Sequence, residues 1–152
     1  MHKYLVDTNC YIDASRDSRE LASLTRFVTW SAPGLYLSSV VAAELRAGAR
    51  SGTDRKKLEK DVLGPFVRRG RVLTPSSGAW DALGLTLATL RDEEGLQLAS
   101  VSRSLAFDIL IAYSCRESGV ILVTRNVNDM ARIRRVFAFN YVEPYPEASE
   151  PL

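Results

Sequence analysis

The sequence predicts an α/β fold built on a mostly parallel sheet of about five strands, and three observations carry this. Short apolar runs alternate along the chain with longer helical ones, the pattern of strands joined by crossover helices. The first of those runs, "KYLVD" at 3–7, has the continuous apolar centre of a buried strand rather than a polar alternation. And 152 residues of ordinary composition, 46% hydrophobic and 25% charged, suit one domain able to bury about two-thirds of its unfolded surface.

Taken in order, the strands are expected at 3–7, 35–39 ("LYLSS"), 71–75 ("RVLTP"), 120–124 ("VILVT") and 139–143 ("FNYVE"). Helices are expected between them. Residues 17–31 carry Leu21, Leu24, Phe27, Val28 and Trp30. Residues 39–50 and 54–69 form a pair, and residues 76–93 place Trp80, Leu83, Leu87 and Leu90 on one face. Residues 102–118 form the last helix. Ser39 and Ser76 are expected N-caps, and Gly119 stops the helix before the fourth strand. The domain is expected to span 1–145, with 146–152 a mobile tail. Leu21, Phe27 and Trp30 suit either the core or a dimer surface, the core being the preferred reading for each.

Several chemistries are excluded early. His2, at the very start, is the single histidine, which removes His-based zinc sites, Ser-His-Asp triads and Cys-His pairs. Cys10 and Cys115 lack CxxC spacing and sit in apolar contexts. They read as core filler in a reducing compartment, a disulfide between them being the alternative. No apolar run approaches the ~18 residues of a membrane span, and "MHKYLVDTN" lacks a signal-peptide core, so a cytoplasmic setting is expected. Net charge is only +2, yet 16 of the 20 basic residues are arginine. Arginine suits bidentate phosphate contacts, although surface solubility is the ordinary reading of such a bias.

The acidic residues are more telling. "LAFDILIAY", 105–113, holds Asp108 among apolar neighbours on a helix with little room for a solvent face. A buried carboxylate costs several kcal/mol unless something opposes its charge. Asp7 ends the first strand, where a parallel sheet binds ligands. Glu44 shares a helix face with Val40 and Gly48, and Asp129 follows the fourth strand. Each has an ordinary structural reading: a turn or helix cap for Asp7 and Asp129, an amphipathic surface for Glu44, a salt bridge to an arginine such as Arg103 for Asp108. Together they can meet at one rim of the sheet. Four carboxylates there would repel one another unless a cation were present. Oxygen donors without His or Cys favour Mg²⁺ or Mn²⁺.

These same residues carry a resemblance. "VDTN" at 6–9, "ExxxGA" at 44–49, "DILIA" at 108–112 and "LVTRNVNDM" at 122–130 together resemble the PIN-domain ribonucleases, specifically VapC-type toxins of bacterial toxin–antitoxin pairs. The resemblance runs from residue 4 to about 143. It implies a three-layer α/β/α fold and metal-dependent RNA hydrolysis. Asp7, Glu44, Asp108 and Asp129 match the family's acidic quartet and Thr124 and Asn126 its polar residues near the site, as do Thr8 and Asn9. Met130 stands where these toxins usually have Phe, and "SVSRSLAF" departs from the Gly/Pro-rich run many members show before the third acid. The family further implies homodimers and a small antitoxin that covers the acidic site.

The expected mechanism places Asp7 and Asp108 as the most direct metal ligands. Glu44 and Asp129 would hold a second ion or orient waters. A metal that lowers the pKa of water provides the nucleophile for in-line attack on phosphorus, leaving a 5′-phosphate and a 3′-hydroxyl. Arg46, Arg103 and Arg125 are the arginines best placed to bind flanking phosphates. Two other enzyme classes fit poorly. A phospho-acceptor receiver needs a lysine late in the chain, and the lysines are 3, 56, 57 and 60. A DxD phosphatase needs an acid where Asn9 stands. The remaining alternative is a non-catalytic PIN-like module that binds RNA or a protein partner.

Overall fold

In the computed structural model, which describes residues 1–148, the strands fall where the sequence puts them but are shorter. They are β1 (Tyr4–Val6), β2 (Leu35–Ser38), β3 (Val72–Leu73), β4 (Ile121–Val123) and β5 (Tyr141–Val142). All pair in parallel, in the order β3-β2-β1-β4-β5. Tyr4, Leu5 and Val6 of β1 are all buried, as are Leu122 and Val123 of β4. A central strand buried on successive residues is covered on both faces, so helices form the two outer layers of an α/β/α sandwich. The chain builds outward from β1 to β2 and β3, then crosses back to lay β4 on the other side of β1. The strand order therefore reverses between β1 and β4, and a crevice opens at their carboxyl ends.

The segment from β1 to β2 holds α1 (Thr8–Arg16) and α2 (Ser18–Ser31), where one helix over 17–31 was expected. Asp17 separates them: its backbone is extended and its carboxylate accepts from Arg19 N at 2.7 Å, starting a new helix. α1 escapes the sequence pattern because it is nine residues long and the residues it buries, Thr8, Cys10 and Ala14, are small. Phe27 is buried and stands edge-on to Tyr4 and Trp30, at 5.4 Å and 5.2 Å between ring centres, so both aromatics of α2 serve the core. Leu21 does not; it is 53% exposed.

After β2 comes α3 (Ser39–Gly48), capped by Ser38 rather than Ser39. The Ser38 hydroxyl accepts from Val40 N at 3.1 Å. The helix expected over 54–69 is three pieces: α4 (Gly52–Lys57), a π-helical turn (Leu58–Leu63) and α5 (Gly64–Arg68). Pro65 explains the break, because it has no N–H for the carbonyl four residues earlier and its ring crowds that carbonyl. α6 (Ser77–Glu94) starts at the expected cap, Ser76, whose hydroxyl accepts from Ala79 N at 3.1 Å. α7 (Arg103–Ser118) ends at Gly119, whose φ of +64° suits the left-handed cap. Finally α8 (Val127–Arg134) replaces the loop expected after β4, with Met130 and Ile133 buried one turn apart.

α7 is the central helix. Leu105, Ile109, Leu110, Ile111, Ala112 and Cys115 are all buried, so it is wrapped on nearly every side. Asp108 is carried into the interior with them. Both cysteines are buried and free, which settles them as core residues rather than a disulfide. Among the described residues no helix is long and apolar enough to cross a membrane. The tail expected at 146–152 lies, from 149 on, outside the described residues.

Ser38 both caps α3 and joins it to β2, so Ser38→Ala should cost about 1 kcal/mol of stability, measured by urea unfolding. A loss near zero would show that α3, which carries Glu44, is positioned without its cap.

Candidate active site

Asp7 is the first residue past β1, and its N–H still donates to Val123 O at 2.9 Å, continuing the ladder with β4. It is also the N-cap of α1, its carboxylate accepting from Thr8 N at 2.8 Å. The turn reading and the site reading of Asp7 thus hold together. The Asp7 carboxylate is 3% exposed. Thr124, just past β4, donates its hydroxyl to Asp7 Oδ2 at 2.7 Å, and the Asn9 amide donates to Asp7 Oδ2 at 3.3 Å. Asn9 also donates to Thr124 Oγ1 at 3.2 Å, and the Asn126 N–H to that same oxygen at 3.0 Å. The ends of β1 and β4 are stitched by side chains as well as backbone.

The other acids approach from the helices. Glu44, half-buried on α3, accepts the Thr8 hydroxyl on Oε1 at 2.9 Å. Asp108 on α7 is 6% exposed and accepts the Asn126 amide on Oδ2 at 2.9 Å. No ion pair joins it to Arg103 among the described residues; the Arg103 guanidinium lies 5.9 Å from the Phe107 ring centre instead. Asn126 is formally the N-cap of α8, yet its side chain makes no capping bond and reaches Asp108. Asp129 sits in the first turn of α8, half-buried rather than in a loop.

A cleft of about 410 Å³ is lined by Asp7, Thr8, Asn9, Ile12, Glu44, Ser104, Asp108, Arg125 and Asn126. Three of the four expected acids share it. Asp129 lies outside the lining, but its charge still helps to raise the Asp108 pKa. Thr124 is fully buried behind Asp7. Of the three arginines expected at phosphates, Arg125 alone lines the cleft. Its Nε is 2.9 Å from Asp13 Oδ2, and it also pairs with Glu20. Arg46 points elsewhere, pairing with Glu59 at 2.6 Å. Ser104 and Ile12 are lining residues that the sequence reading did not assign. Ser104 is one helical turn before Asp108 and so shares its face, a signal that was there to use.

The electrostatics follow from burial. Desolvation raises the Asp7 pKa despite its hydrogen bonds from Thr124, Thr8 and Asn9. Desolvation likewise raises that of Glu44, with the Asp7 charge adding to it. Asp108 is pushed up to about 8, first by burial, then by the charges of Asp7, Asp129 and Glu44. The Cys10 thiol beside them is pushed up to about 12 by burial, so it is no thiolate nucleophile.

The chemistry of this donor set fits a hard dication: carboxylate oxygens with raised affinity for positive charge, and no imidazole or thiolate. Among the described residues no three Asp, Glu, His or Cys side chains are gathered tightly enough to cage a bare ion. Thr8 bridges Asp7 and Glu44, and Asn126 links Asp108 to the Thr124 that bonds Asp7, so each of these acids meets polar groups rather than another acid. That spacing suits Mg²⁺, which dehydrates reluctantly and takes one or two carboxylates while keeping its waters.

A parallel sheet with carboxylates collected at its switch point defines an α/β domain with an acidic cleft. The chain belongs to the PIN domain family, whose profile matches residues 4–136. Its fold is similar to that of DNA-bound VapBC from Salmonella typhimurium (TM-score 0.68, 22% identity, covering 94% of this chain and 98% of that one). It is also similar to FitAcB from Neisseria gonorrhoeae (0.65, 21%, 91% and 95%) and to a toxin–antitoxin complex from Klebsiella pneumoniae (0.61, 21%, 94% and 98%). At these identities the likeness shows the fold. No curated protein sequence matches the chain.

Because Asp108 has a raised pKa when folded, the native state holds its proton more tightly than the unfolded state does. Without metal, stability should therefore be highest near pH 4 and fall as pH rises towards about 8. Asp108→Asn removes that charge and keeps the Asn126 contact. It should be the more stable protein in EDTA at the upper end of this range, the gap closing at the lower end. Urea melts at both ends check this, and a mutant less stable throughout contradicts it.

Proposed function

We propose that this protein is a metal-dependent endoribonuclease, the toxin of a toxin–antitoxin pair, acting with Mg²⁺ or Mn²⁺. The observation that carries the reading is Asp108: a nearly buried carboxylate hydrogen-bonded by Asn126, under the charges of Asp7, Asp129 and Glu44 and, among the described residues, in no ion pair with a cationic side chain. The family membership supports a nuclease, and the likeness to a solved toxin–antitoxin complex supports an antitoxin partner; a homodimeric assembly is part of the same proposal.

Asp7 and Asp108 would hold the ion, with Glu44 and Asp129 contributing through water or to a second ion. The bound ion supplies an acidified water and neutralises charge on the phosphoryl oxygens. The rest falls to the chain. Thr124 and Asn9 fix Asp7 Oδ2, and Asn126 fixes Asp108 Oδ2, so both carboxylates are set before substrate arrives. Thr8 occupies Glu44 Oε1, leaving Oε2 to accept the proton of the attacking water. Attack of that water on phosphorus breaks the bond to the 3′-oxygen, which takes up a proton. The products carry a 5′-phosphate and a 3′-hydroxyl.

Purified protein incubated with total RNA should cut it with Mg²⁺ or Mn²⁺, stop in EDTA, and leave 5′-phosphate ends. Asp7→Ala should lose at least about 100-fold in rate, and should also relieve the growth arrest expected on expressing the chain alone. Cleavage that persists in EDTA, or that leaves 2′,3′-cyclic phosphates, rules out this mechanism. RNA binding without cleavage under any metal would favour the non-catalytic module.

A further inference from the structure

The charge of this chain is segregated. Between Arg46 and Arg71 lie nine of the 20 basic residues and only three of the 18 acidic ones, a net +6 in a chain of net +2. This stretch is the end of α3, then α4, the π-helical turn and α5. It is not a uniformly solvated face. Arg46, Arg55, Lys56, Leu58, Glu59 and Lys60 line an open cleft of about 720 Å³. Glu59 is the one acid lining it and is already taken by Arg46, with Nε–Oε1 at 2.6 Å and Nη2–Oε2 at 3.2 Å. Among the described residues Arg50, Arg55, Lys56, Lys57 and Lys60 enter no ion pair, although all are exposed. Neutralised cations were available elsewhere in the fold: Arg125, Arg132 and Arg135 all have carboxylates. The cations of this arm are left unmatched.

The basic cleft and the acidic cleft share α3. Glu44 faces one, and Arg46, two residues on and thus on the far side of the helix, faces the other. The ridge between them is α3 itself, roughly 10–12 Å across, where Ala43 and Ala47 are exposed and uncharged. A polyanion seated in the acidic cleft by one phosphate could cross this uncharged ridge and meet the cations beyond.

We propose that the α4–π–α5 arm is a phosphate-backbone clamp for single-stranded RNA, holding the strand outside the cleft where it is cut. This deepens the nuclease reading and rests on it. The one aromatic of the arm, Phe66, is buried, so the arm offers phosphate contacts without base stacking and contributes affinity without sequence choice. The π-helical turn contributes Leu58, Glu59 and Lys60 to the lining, Leu58 half-buried and Lys60 exposed. Of the three expected phosphate-binding arginines, Arg46 moves to the clamp, where it pairs with Glu59, Arg125 stays at the cleft, and Arg103 lines neither.

The test is binding, not cleavage. A fluorescent single-stranded RNA is titrated with the full chain in EDTA over a range of salt, for wild type, for Arg55→Gln/Lys56→Gln/Lys60→Gln and for Glu59→Gln. Each lost phosphate contact should flatten the plot of log affinity against log salt by about 0.7, so the triple variant should flatten by about 2 and bind up to about 100-fold more weakly near 0.1 M salt. Glu59→Gln should bind up to about fivefold more tightly, having freed Arg46. An unchanged slope in the triple variant, with wild-type circular dichroism, overturns the clamp. So does a triple variant that loses affinity for polyglutamate but not for RNA, which would assign the arm to an acidic protein. A protein that never cuts RNA but shows these slopes loses the nuclease reading and keeps the clamp.

Discussion

The Thr124 hydroxyl on Asp7 Oδ2, at 2.7 Å, is the contact on which the rim of the sheet depends. It ties the residue after β1 to the residue after β4, at the one place where the strand order reverses. Asn9 and Asn126 then build on Thr124, and of the two it is Asn126 that reaches Asp108. Three hydrogen bonds to one carboxylate are worth roughly 1.5–3 kcal/mol each, yet burial still raises the Asp7 pKa. The fold therefore orients its acids without fully neutralising them. What remains is a standing affinity for protons or for cations, and this is the physical content of the cleft.

The same accounting explains why polar side chains separate the acids. Direct contact between ionised, largely buried carboxylates would push protons onto them. Thr8 between Asp7 and Glu44, and Asn126 beside Asp108, keep each acid individually hydrogen-bonded and leave room for hydrated charge. Charge segregation across α3 has the complementary effect. With net +6 gathered in one arm of a chain of net +2, the rest of the molecule, acidic cleft included, is left net negative. A polyanion would be drawn first to the arm, and the cleft would be reached from there.

Much of this was legible in the sequence, for identifiable reasons. The strands showed because each is a short apolar run, and the buried acid showed because Asp108 stands alone in "LAFDILIAY". α1 and α8 did not show. Both are short and rich in Asn, Asp and Arg, and each buries few residues: Thr8, Cys10 and Ala14 in α1, Met130 and Ile133 in α8. The break at the π-helical turn was signalled by Pro65, but charge-rich helical periodicity concealed it. The cap at Ser38 was displaced by one residue because two serines stand side by side. The arginines were the weakest reading: position along the chain placed Arg46 two residues from Glu44, and helical geometry turned it to the opposite face.

The central claim is that the cleft holds carboxylates whose protons a dication replaces. Proton release on Mg²⁺ binding tests it most directly, because metal ligands must be deprotonated to bind. Asp108, with a pKa of about 8, is mostly protonated near neutral pH. Calorimetric titration near pH 7, in buffers of different ionisation heat, should show close to one proton released per Mg²⁺ bound. The release should vanish near pH 10 and in Asp108→Asn. Mg²⁺ binding with no proton release near pH 7, or no saturable Mg²⁺ binding at all, would contradict the account.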